Sequence, residues 1–239
     1  MTQLFIGIHY LLEGFRLISE RGLRRFVVIP LFINMLLFTG LFFLLYHYTG
    51  EFNQWFEQHL PTWLTWLGLF IWLLFFLSFF LLFISAFVTV ANLMSAPFNS
   101  LLAEKVEEYL TGKSLEGRTM GENIKDIPRI MGRQLGILGY YVPRTIFLLV
   151  LFFIPLIQSA ASVLWFLFNA WMMTLTYLDY PTDNHRLTFQ ATRAWLSQRR
   201  WVAWGFGISV LLVSMIPVIN FFVIPAAVAG ATKFWVEEK

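Results

Sequence analysis

The sequence predicts an all-α integral membrane protein with two long transmembrane helices, two re-entrant helical hairpins that penetrate only partway, and amphipathic interfacial helices. Three observations carry that prediction. Charged residues make up 13% of the 239-residue chain, about half the roughly 25% usual in a soluble domain, so too few to clothe an aqueous surface. Four runs free of Lys, Arg, Asp and Glu, at 26–50, 58–103, 145–178 and 201–232, each exceed the roughly 18 residues that mark a membrane segment. Prolines with polar neighbours interrupt the last three runs, and a helix in lipid must bend or turn where they fall.

Composition also excludes whole classes. Hydrophobic residues at 58% exclude a disordered chain. With no cysteine, disulfides, thiol nucleophiles, iron–sulfur clusters and cysteine zinc sites are absent. The net charge of +3 follows from basic residues flanking apolar spans and calls for no nucleic acid.

The elements follow in order within one membrane domain, 1–239. Residues 1–25 open with a helical stripe of Leu4, Ile8, Leu11, Phe15 and Ile18, which predicts an amphipathic helix at the interface. The segment lacks the basic start and continuous apolar centre of a cleavable signal, so it is expected to stay in the chain. Span 1, 26–49, makes about 36 Å of helix against a hydrocarbon core of about 30 Å. The linker 50–62 carries Glu51 and Glu57 but no Lys or Arg, and Pro61 opens the next helix. Span 2, 63–90, starts on the interfacial anchors Trp63 and Trp66 and stops before a polar bend at Asn92, Ser95, Pro97 and Asn99.

Amphipathic cytoplasmic helices fill 91–142, the first closed by Gly112 as a C-cap. Hairpin 1, 143–178, turns at Ile154, Pro155, Leu156, Ile157 and Gln158. An interfacial helix, 179–200, follows a surface turn in which Pro181 is stiff and Asp183 or Asn184 caps. Hairpin 2, 201–232, turns at Ile216, Pro217, Val218, Ile219 and Asn220, with arms of about 22 to 24 Å, too short to cross. The tail is 233–239. Lys and Arg number four before span 1, none in 50–62, seven in 104–144, four in 179–200 and two in the tail, which predicts a multi-pass protein with a cytoplasmic N-terminus. Six full crossings satisfy the same count.

Catalytic chemistry finds no support. Gly112, Lys113 and Ser114 end a P-loop pattern whose first glycine is here Glu107. The histidines His9, His47, His59 and His185 do not pair at helical spacing, so no metal or cofactor is predicted. Asp179, Asp183 and His185 hold two carboxylates and an imidazole in seven residues, a set suited to a proton relay or to a surface turn. Arg193, Trp195, Arg199, Arg200 and Trp201 mix bases with aromatics as an interfacial helix does, and Gly132 with Gly136 forms a GxxxG packing motif.

Residues Gly22, Leu23, Arg24 and Arg25 are the strongest binding motif. Two arginines at a helix N-terminus oppose its dipole unless an anion sits between them, and guanidinium forks with nearby N–H groups suit an oxyanion. Flanking arginines also satisfy the positive-inside rule. Asn34, Asn92, Ser95, Asn99 and Asn220 are candidates for lining an anion path with uncharged donors, or for bonding helices together.

Six segments together carry a family resemblance: Gly22–Pro30 (GLRRFVVIP), Ala96–Glu104 (APFNSLLAE), Lys125–Met131 (KDIPRIM), Trp165–Phe168 in the context VLWFLFNAW, Asp179–His185 (DYPTDNH) and Gly230–Trp235 (GATKFW). In that order, over nearly the whole chain, they resemble the CysZ family of bacterial sulfate permeases. The resemblance implies uptake of sulfate across the inner membrane for cysteine biosynthesis, without an ATPase subunit, by a homo-oligomer of the predicted fold. It implies sulfate binding at Gly22, Leu23, Arg24 and Arg25, sulfite as a competitor or regulator, and proton dependence, for which Glu104, Asp183 and His185 are the candidate proton or ion-pair residues. Membrane lipid is the other expected partner. The alternative is a non-transporting scaffold or sensor of sulfur assimilation.

Overall fold

In the computed structural model, which describes residues 2–59, 65–113 and 127–239, every element is an α-helix. The helices are α1 (Thr2–Leu17), α2 (Arg25–His59), α3 (Thr65–Thr111), α4 (Ile127–Phe152), α5 (Gln158–Asn184), α6 (Phe189–Gln198), α7 (Arg200–Ser214) and α8 (Pro217–Glu238). Among the described residues four stretches are long and apolar enough to cross a membrane: Arg25–Phe52, Leu135–Phe152, Gln158–Asn184 and Pro217–Glu238. Pro61 and Trp63, expected to open span 2, and residues 114–126 of the expected cytoplasmic helices lie outside the described residues. Two compact units emerge, Val28–Phe98 and Met1–Val27 with Asn99–Lys239.

In the Val28–Phe98 unit the residues of α2 and α3 meet in antiparallel order. Asn34 reaches Ser95, Phe38 packs edge-on against Phe87, and Phe52 stacks on Phe75. Two expectations are corrected here. Residues 50–59 continue α2 rather than forming a linker, because Glu51 pairs with His47 at 3.2 Å and His59 stacks on Trp55, both one helical turn apart. Nor does the helix end at Asn92–Asn99: α3 continues for 47 residues with Pro97 inside it. In an apolar setting, breaking a helix strands several backbone groups, whereas an internal proline forfeits one hydrogen bond. The helix does end at Gly112, whose φ of +69° and N–H bond to the Glu108 carbonyl are those of a left-handed C-cap.

The larger unit is built around α1, which packs between α7 and α8. Its buried face is Gly7, Tyr10, Leu11, Gly14 and Leu17, whereas the predicted stripe keeps only Leu11 and Ile18 inside and leaves Ile8 exposed. Glycine decides the rotation. A Cβ at Gly7 would land on the Val202 carbonyl, and one at Gly14 on the Ala226 carbonyl, so the backbones touch as in small-residue membrane packing. Across the same seam Tyr10 stacks on Phe234 at 5.1 Å, and Phe206 and Phe234 are fully buried. A Thr174 Oγ1 donor bonds the Ala203 carbonyl at 2.7 Å, fastening α5 to α7.

Both predicted turns are present. α4 and α5 join through 153–157, with Phe153 and Leu156 almost wholly exposed, and α7 and α8 join at Met215 and Ile216, with Pro217 in the first turn of α8. The arms differ from expectation. α4 has 26 residues and α5 has 27, about 39 to 40 Å each, and α8 has 22; only α7, at 15 residues, is too short to cross. The segment Asp179–His185 is also not a surface turn. It forms the last turns of α5, with Pro181 inside the helix, and Thr188, not Asp183 or Asn184, caps α6 by accepting the Ala191 N–H at 3.2 Å.

Candidate functional site

The base of both hairpins is a polar network, built from charges that flank the apolar helices. Arg133, near the start of α4, is 7% exposed. Its Nε and Nη2 donate to Asp179 Oδ1 at 2.9 and 2.6 Å, Nη2 also reaches Thr182, and Nη1 donates to the Leu187 carbonyl. Asp183 stands 3.7 Å away. One guanidinium thus joins the start of α4, the end of α5 and the link before α6. A buried arginine is tolerable only when its donors are met and its charge is paired, and this one satisfies both conditions.

Glu107 on α3 is 3% exposed. It accepts from Lys239 Nζ at 2.7 Å and faces His185 Nε2 at 2.8 Å. Ser100 and Asn184 exchange two hydrogen bonds, and Asn99 donates to the Tyr180 hydroxyl at 3.3 Å. At the second hairpin Arg199 lies 3.5 Å from Glu238. The start of α4 is therefore tied to the end of α5, and the start of α7 to the end of α8, each by a charge pair. On α1, Lys233 holds the Glu13 carboxyl below its ordinary value by hydrogen bonding at 2.9 Å. Burial first, and then the negative charge of Glu237 and Glu238, pushes the Tyr10 phenol up.

Gly22, Leu23 and Arg24 lie in the link after α1, and Arg25 begins α2. Leu23 is buried, while Gly22, Arg24 and Arg25 are exposed. Arg24 donates to the Ser19 carbonyl and Arg25 lies over the Phe26 ring at 4.9 Å. The N–H groups of Leu23, Arg24, Phe26 and Val27 already donate to backbone carbonyls, so the main chain offers an anion less than the sequence suggests and the arginine side chains offer most. Among the described residues neither Arg24 nor Arg25 meets a carboxylate.

Of the polar residues expected along a path, Asn34 Nδ2 donates to Ser95 Oγ at 3.3 Å. Asn99 is buried against Tyr180, Asn220 is exposed near the start of α8, and the Asn92 side chain lies outside the described residues. Glu104 is 4.0 Å from Lys105, while Asp183 and His185 belong to the network. Sequence reasoning passed over Arg133, Glu107 and Lys239. A signal was present: Arg133 and Asp179 bracket the first apolar hairpin, and Arg199 and Glu238 the second, with opposite charges.

Residues 10–225 match the family model described as Sulfate transporter CysZ/Etoposide-induced protein 2.4. The chain is similar to the sulfate transporter CysZ of Pseudomonas fluorescens (45% identical over 237 residues, 98% of this chain and 94% of that one). It is also similar to those of Pectobacterium atrosepticum (46% over 235 residues, 97% and 84%) and Salmonella enteritidis (44% over 232 residues, 97% and 92%).

Proposed function

Because the chain belongs to the Sulfate transporter CysZ/Etoposide-induced protein 2.4 family, a family of transporters rather than enzymes, we propose that it is a sulfate permease of the bacterial inner membrane. It carries sulfate inward for cysteine biosynthesis, without an ATPase subunit, as a multi-pass homo-oligomer with a cytoplasmic N-terminus.

The observation that carries the site is the exposed pair Arg24 and Arg25 beside Gly22, which meets no carboxylate among the described residues. Sulfate sheds part of its hydration only where fixed donors replace the water, and two guanidinium forks match a tetrahedral oxyanion. At Gly22 a Cβ would meet nothing within 4 Å, so the approach from solvent is open. Uncharged groups of the kind at Asn34, Asn92, Ser95, Asn99 and Asn220 hold a dianion weakly enough to release it. The second hairpin, whose first arm α7 has 15 residues, penetrates partway, and other subunits cover the apolar tips of both hairpins, since irregular backbone in lipid needs protein around it.

Proton coupling has a physical motive. Each negative charge brought inward against an inside-negative potential costs about 2.3 kcal/mol per 100 mV, so a dianion needs co-entering protons or a steep gradient. Asp183 and His185, at the edges of the buried network, and Glu104 are the carriers to test; sulfite competes for the same arginines.

The test is uptake of radiolabelled sulfate into liposomes holding only this protein, with and without an imposed pH gradient. Flux that is lost in the Arg24→Ala, Arg25→Ala double variant while the folded oligomer survives supports the permease and its site. No flux from a folded, sulfate-binding oligomer replaces it with the scaffold or sensor reading.

A further inference from the structure

A second basic site lies on the other side of Arg133. Gly132, Gly136 and Gly139 on α4, the link at Arg186–Thr188 and the start of α6 wall an open cavity of about 540 Å³. The glycines keep it open. A Cβ at Gly132 or Gly139 would meet nothing within 4 Å, and one at Gly136 would only touch the Phe189 ring at 3.7 Å. Four arginines, Arg133, Arg144, Arg186 and Arg193, line it, and among the described residues of its wall there is no Asp or Glu.

Arg133 is neutralised by Asp179, but Arg144 and Arg193 are not. Both lie over the Tyr140 ring, at 3.7 and 5.0 Å from its centroid. Among the described residues neither meets a carboxylate: Arg144 donates only to the Tyr140 carbonyl, at 2.8 Å. Two like charges gathered on one ring repel unless an anion answers both. The capped N-terminus of α6 adds its dipole in the same sense.

The surroundings choose the anion. Arg144 is the one charge within the apolar stretch Leu135–Phe152, which is long enough to cross a membrane, and Leu138, Val142, Ile146 and Phe147 are exposed on the same helix. A ligand that satisfies this surface is anionic at one end and apolar along its length. The cavity is also several times larger than a bare tetrahedral oxyanion needs. We propose that it holds the phosphodiester headgroup of an anionic membrane phospholipid, with the acyl chains along the exposed side chains of α4. Basic pockets beside membrane helices recognise such headgroups by fixed guanidinium pairs. The site is separate from Arg24 and Arg25, and the lipid is a bound structural ligand rather than the transported anion.

The test is native mass spectrometry of the full-length protein extracted from vesicles of equal phosphatidylglycerol and phosphatidylcholine. The wild type is expected to retain phosphatidylglycerol selectively. Arg144→Gln with Arg193→Gln should weaken that retention about 30-fold, at roughly a factor of five per arginine. Gly139→Leu, which fills the cavity and leaves every charge in place, should also lose the lipid, and Arg24→Ala with Arg25→Ala should keep it. Equal retention of the two lipids by the wild type, or unchanged retention in both pocket variants, overturns the proposal. So does displacement of the lipid by millimolar inorganic sulfate or phosphate, which makes the cavity a free-anion site.

Discussion

Arg133 and Asp179 meet at 2.6 Å across the base of the first hairpin, 46 positions apart in sequence, with the guanidinium side chain only 5% exposed. That pair fixes where α4 begins relative to where α5 ends. Breaking a buried pair from one side strands the other charge, at about 3 to 5 kcal/mol. Arg133→Ala should therefore lower the melting temperature in detergent by many degrees. Asp179→Asn should cost less, because an amide oxygen still accepts from Arg133. Equal melting of Arg133→Ala and wild type would show that the pair does not hold the hairpin.

Glu107 ties the chain's last residue to α3 through Lys239 and anchors His185 from the other side. Glu107→Ala leaves both partners without their acceptor, with a cost of about 1 to 3 kcal/mol. The local sign is freedom of the C-terminus. Amide exchange across 236–239 should rise in Glu107→Ala with little change near the α4–α5 turn, and a uniform rise over all helices would contradict so local a role.

How much of this was written in the sequence varies by element. The hairpin turns at Pro155 and Pro217 were legible, because a proline amid polar neighbours in an apolar run leaves a helix few ways to continue. Pro97 shows the limit of that rule: the same residue type sits inside a continuous helix, and only the tertiary setting separates the cases. The face of α1 was misread because the buried side is set by Gly7 and Gly14, which a hydrophobic stripe does not count. The network was half legible. Asp183 and His185 stood out as a cluster, but their partners Arg133 and Glu107 lie 50 and 78 positions away, and pairing over such distances is decided by packing.

Acid should loosen the seam between α1 and α8. Lys233 donates to Glu13 at 2.9 Å, which holds the Glu13 carboxyl below its ordinary value of about 4.5. A carboxyl depressed in the folded state contributes stability in full above that ordinary value, and the contribution fades as the pH falls through the lowered one. Melting temperature followed from pH 7 down to pH 3 should drop less steeply for Glu13→Gln than for the wild type over the acid limb, with the two curves parallel near neutrality. An identical acid limb in the variant would remove Glu13 from the acid response.

The glycines divide into two groups that stability and binding should separate. At Gly14 an added Cβ would strike the Ala226 carbonyl, and at Gly7 the Val202 carbonyl. Backbone at such distance cannot rotate aside as a side chain can, so α1 must move off α7 or α8. Gly14→Ala should cost about 1 to 3 kcal/mol or more through this overpacking, read as a lower melting temperature and faster amide exchange in α1. At Gly22 the same Cβ meets nothing within 4 Å, so Gly22→Ala should melt as the wild type does. Any loss of sulfate binding in Gly22→Ala then belongs to the approach of the anion and not to the fold, and a melting temperature as depressed as that of Gly14→Ala would show that Gly22 is held by packing after all.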